Sequence, residues 1–138
     1  MIRPKVLFLC SGNSCRTQMA EAFLRDVAGE RFEAVSAGNH ATPLDWEAVK
    51  AMRELGIDIS AQESKTVDAF LGRKFTFLVS LCDREKEPTC PIFPGAIWRL
   101  QWDIENPSLV ESPHERRRVV RWVRDEIRDR VLEFVRKH

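Results

Sequence analysis

No stretch of this sequence is apolar for long enough to cross a membrane. Its two most hydrophobic runs, Val6–Cys10 and Phe75–Leu81, are short, whereas a spanning helix needs about 20 residues and a signal-peptide core about 7–15. A soluble cytoplasmic protein with no membrane association is the expectation. Net charge is nearly absent, +1 from 22 basic and 21 acidic residues, so the total implies no polyelectrolyte partner. The arginine-rich segment from Arg116 to His138 reads as a solvated helix face, not a nucleic-acid surface, because aromatic residues are not interleaved with the charges. There is no internal repeat, low-complexity segment or linker, and 138 residues suit one domain over 1–138. No lysine follows a glycine at the spacing of a nucleotide-binding loop. Histidines number three; His40 and His114 have no motif partner and read as surface residues. With no sign of export, the four cysteines are not a structural disulfide framework; reactive, redox, metal-binding and merely buried roles stay open.

The pattern that is present alternates strands with helices. Val6–Cys10 is too continuous for a half-exposed strand and too short for a helix, so it reads as a strand buried on both faces. From Arg16 onward Met19, Ala20, Phe23, Leu24 and Val27 recur at helical spacing, with Gly29 as a stop. Phe32–Ala37 is a second strand, ended by Gly38. Asp45 is placed to cap a helix over Trp46–Leu55, closed by Gly56. Ile57–Ser60 is a short extended piece, and Thr66–Leu71 a short helix before Gly72. Phe75–Leu81 is another central strand, running into Cys82. A polar segment, Asp83–Thr89, then leads to Cys90, and Pro91, Pro94 and Gly95 forbid regular structure around it. Ala96–Leu100 forms one more strand and Asn106–Ser112 a loop. Ser112-Pro113-His114-Glu115 is a strong helix start, followed by a stripe of Val119, Val120, Val123, Ile127, Val131 and Phe134. Trp98, Trp102 and Trp122 are expected to pack near this last strand and helix, and Trp46 to be partly exposed. The fold class is α/β: a three-layer domain with a four-stranded parallel sheet flanked by helices. Ligands of such folds bind at the C-terminal ends of the strands, where both Cys10 and Cys82 lie.

The loop after the first strand, CSGNSCRT, carries the chemistry. Cys10 ends a buried strand and faces the start of a helix, a place that gathers backbone N–H groups, binds oxyanions and favours the thiolate form of a cysteine. Ser11, Gly12, Asn13, Ser14 and Cys15 form the cradle. Arg16 is able to hold two oxygens at once, and Thr17 can donate its hydroxyl to the Cys10 sulfur. A bare Cys-x5-Arg pattern is common by chance; the strand before it, the helix after it and the small residues between give it weight. Cys15 reads as packed beneath the loop in a structural role.

CSGNSCRTQMAEAF closely resembles the active-site loop of thioredoxin-coupled arsenate reductases, which share the low-molecular-weight protein tyrosine phosphatase fold. The likeness continues through SAG at Ser36–Gly38, AMRELGIDIS at Ala51–Ser60, SLCD at Ser80–Asp83 and VRDEI at Val123–Ile127. SLCD followed by a downstream cysteine separates the reductases from the phosphatases. The resemblance implies that Cys10, Arg16, Cys82 and Cys90 are catalytic and that residues Ser11–Thr17 bind arsenate. It further implies that disulfides pass from Cys10–Cys82 to Cys82–Cys90, that thioredoxin reopens the latter, and that a monomer without cofactor suffices. The segment before Cys90, rich in Glu and Lys, is expected to move easily. A zinc site fits poorly, since no histidine lies near these cysteines.

Two departures from the family pattern matter. Relatives usually place an Asp before the proline of the loop after the last strand, as general acid; here Asn106 precedes Pro107, and Asn cannot donate a proton in that role. Asp103 and Glu105 are candidate substitutes; alternatively, protonated arsenate and water suffice. Some relatives also bind potassium through Asn13, Glu21, Ser36 and an Asp at position 65. Here Lys65 occupies that position, its ammonium expected to pair with Glu21 in place of a metal. Competing readings are a phosphatase using a Cys10 phospho-enzyme, needing neither Cys82 nor Cys90, and a non-catalytic oxyanion or redox sensor.

Overall fold

The computed structural model describes residues 2–87, 90 and 92–138; the expectations on Pro88, Thr89 and Pro91 lie outside the described residues. Four parallel strands, β1 (Lys5–Cys10), β2 (Glu33–Gly38), β3 (Phe75–Ser80) and β4 (Ala96–Gln101), form one sheet in the order β2-β1-β3-β4. Three helices, α1 (Arg16–Ala28), α2 (Trp46–Arg53) and α3 (Pro113–Lys137), complete the α/β architecture.

β1 is central because both of its faces are apolar. Val6 and Phe8 enter the core shared with all three helices, while Leu7 and Leu9 face the other way, into a smaller cluster with Phe70, Phe75, Leu78 and Phe93. Alternation along one strand thus feeds two cores. The covers of the two faces differ. Inward residues of α1, α2 and α3 pack on one; the other is roofed by the 3-10 turn Val67–Phe70, which is shorter than the helix expected over Thr66–Leu71, and by the chain carrying Phe93.

Helix ends follow the sequence signals. The Asp45 carboxylate accepts from the Glu47 N–H, and Ser112 from the Glu115 N–H, satisfying donors that the helix itself cannot. Every residue of the α3 stripe is buried. On α1 the inward line ends differently: Ala20, Leu24 and Ala28 are buried at four-residue steps, and Val27 is 43% exposed. Trp102 is buried against Phe8, ring centroids 6.0 Å apart, but Trp98 and Trp122 are not packing residues. Trp98 lies on β4, which has a neighbour on one side only, and Trp122 lies off the α3 stripe; each is more than 60% exposed. Trp46 is also exposed.

The register places the site. Cys10 pairs with Gly38 at the end of β2, and Leu9 with Ser80 of β3. The Leu81 N–H continues the ladder by donating to the Leu9 carbonyl at 2.8 Å. Cys10 and Cys82 therefore emerge from adjacent strands at the same sheet edge. No helix among the described residues is long and apolar enough to cross a membrane.

Candidate active site

The loop from Cys10 to Arg16 is held from outside by its carbonyls. Ser11 O accepts from the His40 N–H, Gly12 O from Thr42, and Ser14 O from Asp45, at 3.2, 3.1 and 2.9 Å. Asn13 O accepts from Gln18 Nε2 and the Ser64 hydroxyl, both at 2.9 Å. In a trans peptide the N–H points opposite to the C=O. With these four carbonyls turned outward, the N–H groups of Gly12, Asn13, Ser14 and Cys15 turn inward, toward a cavity of about 210 Å³ lined by Cys10, Ser11, Gly12, Ser14, Cys15 and Arg16. Such a concave set of N–H groups is an anion site.

Two residues make the curvature feasible. Asn13 takes a left-handed φ of +53°, a conformation Asn tolerates better than most side chains. Its side chain then braces the turn: Oδ1 accepts from the Lys65 N–H at 2.8 Å and Gln18 Nε2 at 3.1 Å, and Nδ2 donates to Thr17 Oγ1 at 2.9 Å. Gly38 lies directly against the loop. A Cβ there would sit 2.8 Å from Ser11 O and 2.9 Å from Asn13 N, so only glycine permits this approach.

The Cys10 sulfur is buried, 3.3 Å from the Asn13 nitrogen that donates to it and 3.1 Å from Thr17 Oγ1. Because the Thr17 oxygen already accepts from Asn13, its own hydrogen is available to the sulfur. Both groups aim at the Cys10 sulfur. Cys15, also buried, is different. Burial and the Asp45 carboxylate push its thiol far above the ordinary range, leaving a neutral thiol at the helix start, in line with a structural role.

Arg16 does not present an open fork. Its Nη1 donates to Leu81 O at 3.0 Å, Ile104 O at 3.1 Å and Glu87 Oε1 at 2.5 Å, and its Nη2 to Glu87 Oε2 at 2.7 Å. Within the segment after Cys82, expected to move easily, Glu87 is held at the loop. Glu87 is buried, and its carboxylate also accepts from the Ser11 hydroxyl (2.9 Å), the Asp83 N–H (2.9 Å) and Asn106 Nδ2 (3.0 Å). Burial raises the Glu87 carboxyl, but the hydrogen bonds and charge of Arg16 outweigh it and hold the group below its usual value. Sequence reasoning missed Glu87, since an acidic residue in a polar turn carries no signal of its partner.

Cys82, fully buried, is joined to Cys90 by a disulfide spanning 6.1 Å between Cα atoms. The Ser80 hydroxyl lies 3.2 Å from the Cys90 sulfur. Cys10 and Cys15 are the free thiols.

The substitute acids fare poorly. Asp103 is exposed, receives Arg84 Nε and Nη2 at 3.1 and 3.0 Å, and is held below its usual value by those bonds, so it stays ionised. Neither Asp103 nor Glu105 lines the cavity; Asn106 and Ser108 do, and so does His40, an exposed residue that the sequence had left without a role. His114 is on the surface. Lys65 Nζ is 3.8 Å from Glu21 Oε1, which also accepts from the Ser36 hydroxyl, while Arg25 donates to Glu21 Oε2. The expected ion pair is present.

A family model described as low molecular weight phosphotyrosine protein phosphatase matches residues 5–137. A protein of Oceanobacillus iheyensis named arsenate reductase is 39% identical over 137 residues, covering 99% of this chain and 98% of that protein. Among solved structures, an arsenate reductase in its oxidized state superposes with a TM-score of 0.80 at 29% identity, over 97% of this chain and 98% of that one. The thioredoxin-dependent arsenate reductase of Corynebacterium glutamicum superposes with a TM-score of 0.71 at 25% identity, over 98% of this chain and 61% of that one.

Proposed function

The chain belongs to the low molecular weight phosphotyrosine protein phosphatase family, and we propose that within it this protein is an arsenate reductase recycled by thioredoxin. The observation that carries the reading is the Cys82–Cys90 disulfide on the strand end beside Cys10. A phosphatase of this fold needs Cys10 and Arg16 but neither Cys82 nor Cys90.

Arsenate enters the ring of inward N–H groups, where backbone donors and Arg16 neutralise its charge. The Cys10 thiolate displaces one oxygen as water and forms a sulfur–arsenic bond. The Cys82 thiolate then attacks the Cys10 sulfur. The sulfur–arsenic bond breaks with its electron pair on arsenic, so arsenic(V) leaves as arsenite and a Cys10–Cys82 disulfide remains. The Cys90 thiolate attacks Cys82, Cys10 leaves as thiolate, and the bond becomes Cys82–Cys90. A thioredoxin dithiol supplies the two electrons that reopen it. Water is an adequate leaving group once arsenate is protonated, whereas an ester alkoxide needs an acid. Asn106 at the cavity wall cannot supply one, and Asp103 is tied to Arg84, which favours reduction over ester hydrolysis. Lys65 beside Glu21 stands in for an alkali cation in the same reading.

Thioredoxin-coupled arsenate turnover of the wild type and of Cys10→Ser, Cys82→Ser and Cys90→Ser tests this. Each single change is expected to abolish multiple turnover. Full coupled activity in Cys82→Ser would overturn the relay.

A further inference from the structure

Glu87 lies inside the short chain segment closed by the Cys82–Cys90 disulfide and touches three groups of the oxyanion loop and its rim: Arg16 through both η nitrogens, the Ser11 hydroxyl, and Asn106 Nδ2. A carboxylate bound by a guanidinium fork and a hydroxyl is chemically equivalent to one edge of a tetrahedral oxyanion. Both η nitrogens of the arginine that should grip substrate are occupied from within the chain.

We propose that Glu87 is an internal competitor of the oxyanion, applied to Arg16 and Ser11 when the Cys82–Cys90 disulfide closes and withdrawn when it opens. The proposal rests on the reading of the Cys10–Arg16 loop as an oxyanion site. Forming the disulfide adds a second covalent tether to this segment, from Cys90 to Cys82, and the Asp83 N–H bond to Glu87 Oε1 together with the Lys86 and Glu87 N–H bonds to Asp83 O fold the turn so that the carboxylate meets the arginine. Opening it takes two electrons and two protons from a dithiol, which leaves as a disulfide, and removes the covalent end of that tether. Linkage makes the effect reciprocal: if the closed disulfide weakens oxyanion binding, a bound oxyanion must favour the opened form by the same factor. The spent enzyme thereby resists refilling before it is recycled, and Glu87 acts as a positioning residue through Arg16.

Inorganic phosphate, which cannot be reduced by the thiols, is the probe. Its affinity is measured by calorimetry on full-length protein in the disulfide form and after dithiothreitol. Wild type is expected to bind at least about tenfold more weakly when oxidised, within the usual range of coupling between sites. Glu87→Gln and Glu87→Ala, with the disulfide verified by thiol count, are expected to lose most of that difference, and Glu87→Asp to restore part of it. Cys90→Ser, unable to close the loop, should bind as the reduced wild type does. Equal phosphate affinity of the two wild-type forms, or an unchanged difference in Glu87→Gln, overturns the competitor role. Absence of phosphate binding by the reduced wild type overturns the oxyanion site itself, so the two failures are distinguishable.

Discussion

Two loops at one sheet edge are built on opposite plans. The Cys10–Arg16 loop is braced from behind by the stretch 40–45 that follows β2, by the segment 63–66 and by the start of α1, and its carbonyls from Ser11 to Ser14 are all engaged. Its geometry is set before anything binds, as stabilisation of a charged intermediate requires. The described residues of the segment 83–90 lie in neither helix nor strand. It is anchored by a turn, by the disulfide and by Glu87. One region works because nothing in it needs to move. The other carries Cys90, whose sulfur changes partners in the proposed relay, so its anchors are chemical bonds and ion pairs that can be undone, not apolar packing that cannot be undone piecemeal.

Changes that strike both regions should have the largest effect. Arg16→Lys removes the fork from oxyanion and Glu87 together, and an ammonium cannot reproduce four placed bonds. A fall in kcat/KM of about 100-fold or more is expected, the scale of losing one oxyanion donor, with a lowered Tm in the disulfide form because the buried Glu87 loses its two-point guanidinium contact. Steady-state kinetics and thermal melts check this; unchanged stability would show that the pair holds nothing. A smaller effect, confined to the braced loop, is expected from Gly38→Ala. The new Cβ collides with Ser11 O and Asn13 N, for a destabilisation of about 1–3 kcal/mol and weaker phosphate binding in both redox states. Urea denaturation and the phosphate titration are the measurements, and unaltered reduced-state affinity would mean that β2 does not shape the cradle.

The smallest effect separates the tethers by pH. The Glu87 carboxyl is held below its usual value in the folded protein, so its contribution is fully present above the unfolded value, about 4.3, and is lost as pH falls through the folded one. The stability gap between wild type and Glu87→Gln in the disulfide form should therefore be constant near neutrality and close below about pH 4.3. Denaturant midpoints across that range check it; a gap that widens in acid would reverse the sign.

How far the sequence revealed the site depended on whether partners were local. Cys10, Arg16 and Thr17 were legible because their geometry comes from one strand, one turn and one helix start. The pairing of Lys65 with Glu21 was legible only through resemblance. Glu87 was not legible, because its partners are Ser11, Arg16 and Asn106, far along the chain, and no periodicity records them. Trp98 was misread for a related reason: a strand pattern does not say whether the strand will have one neighbour or two.

By itself, the sequence determined the order of strands and helices, the caps at Asp45 and Ser112, and a thiol in an oxyanion loop, since backbone propensity, capping and apolar period act over a few residues. Only the tertiary structure decided which strand became the edge, which face received the helices, and that Arg16 is held by a carboxylate from the segment between Cys82 and Cys90. Those outcomes depend on which buried charges and apolar faces meet once the chain has folded, and a buried charge takes whatever opposite charge the fold brings to it.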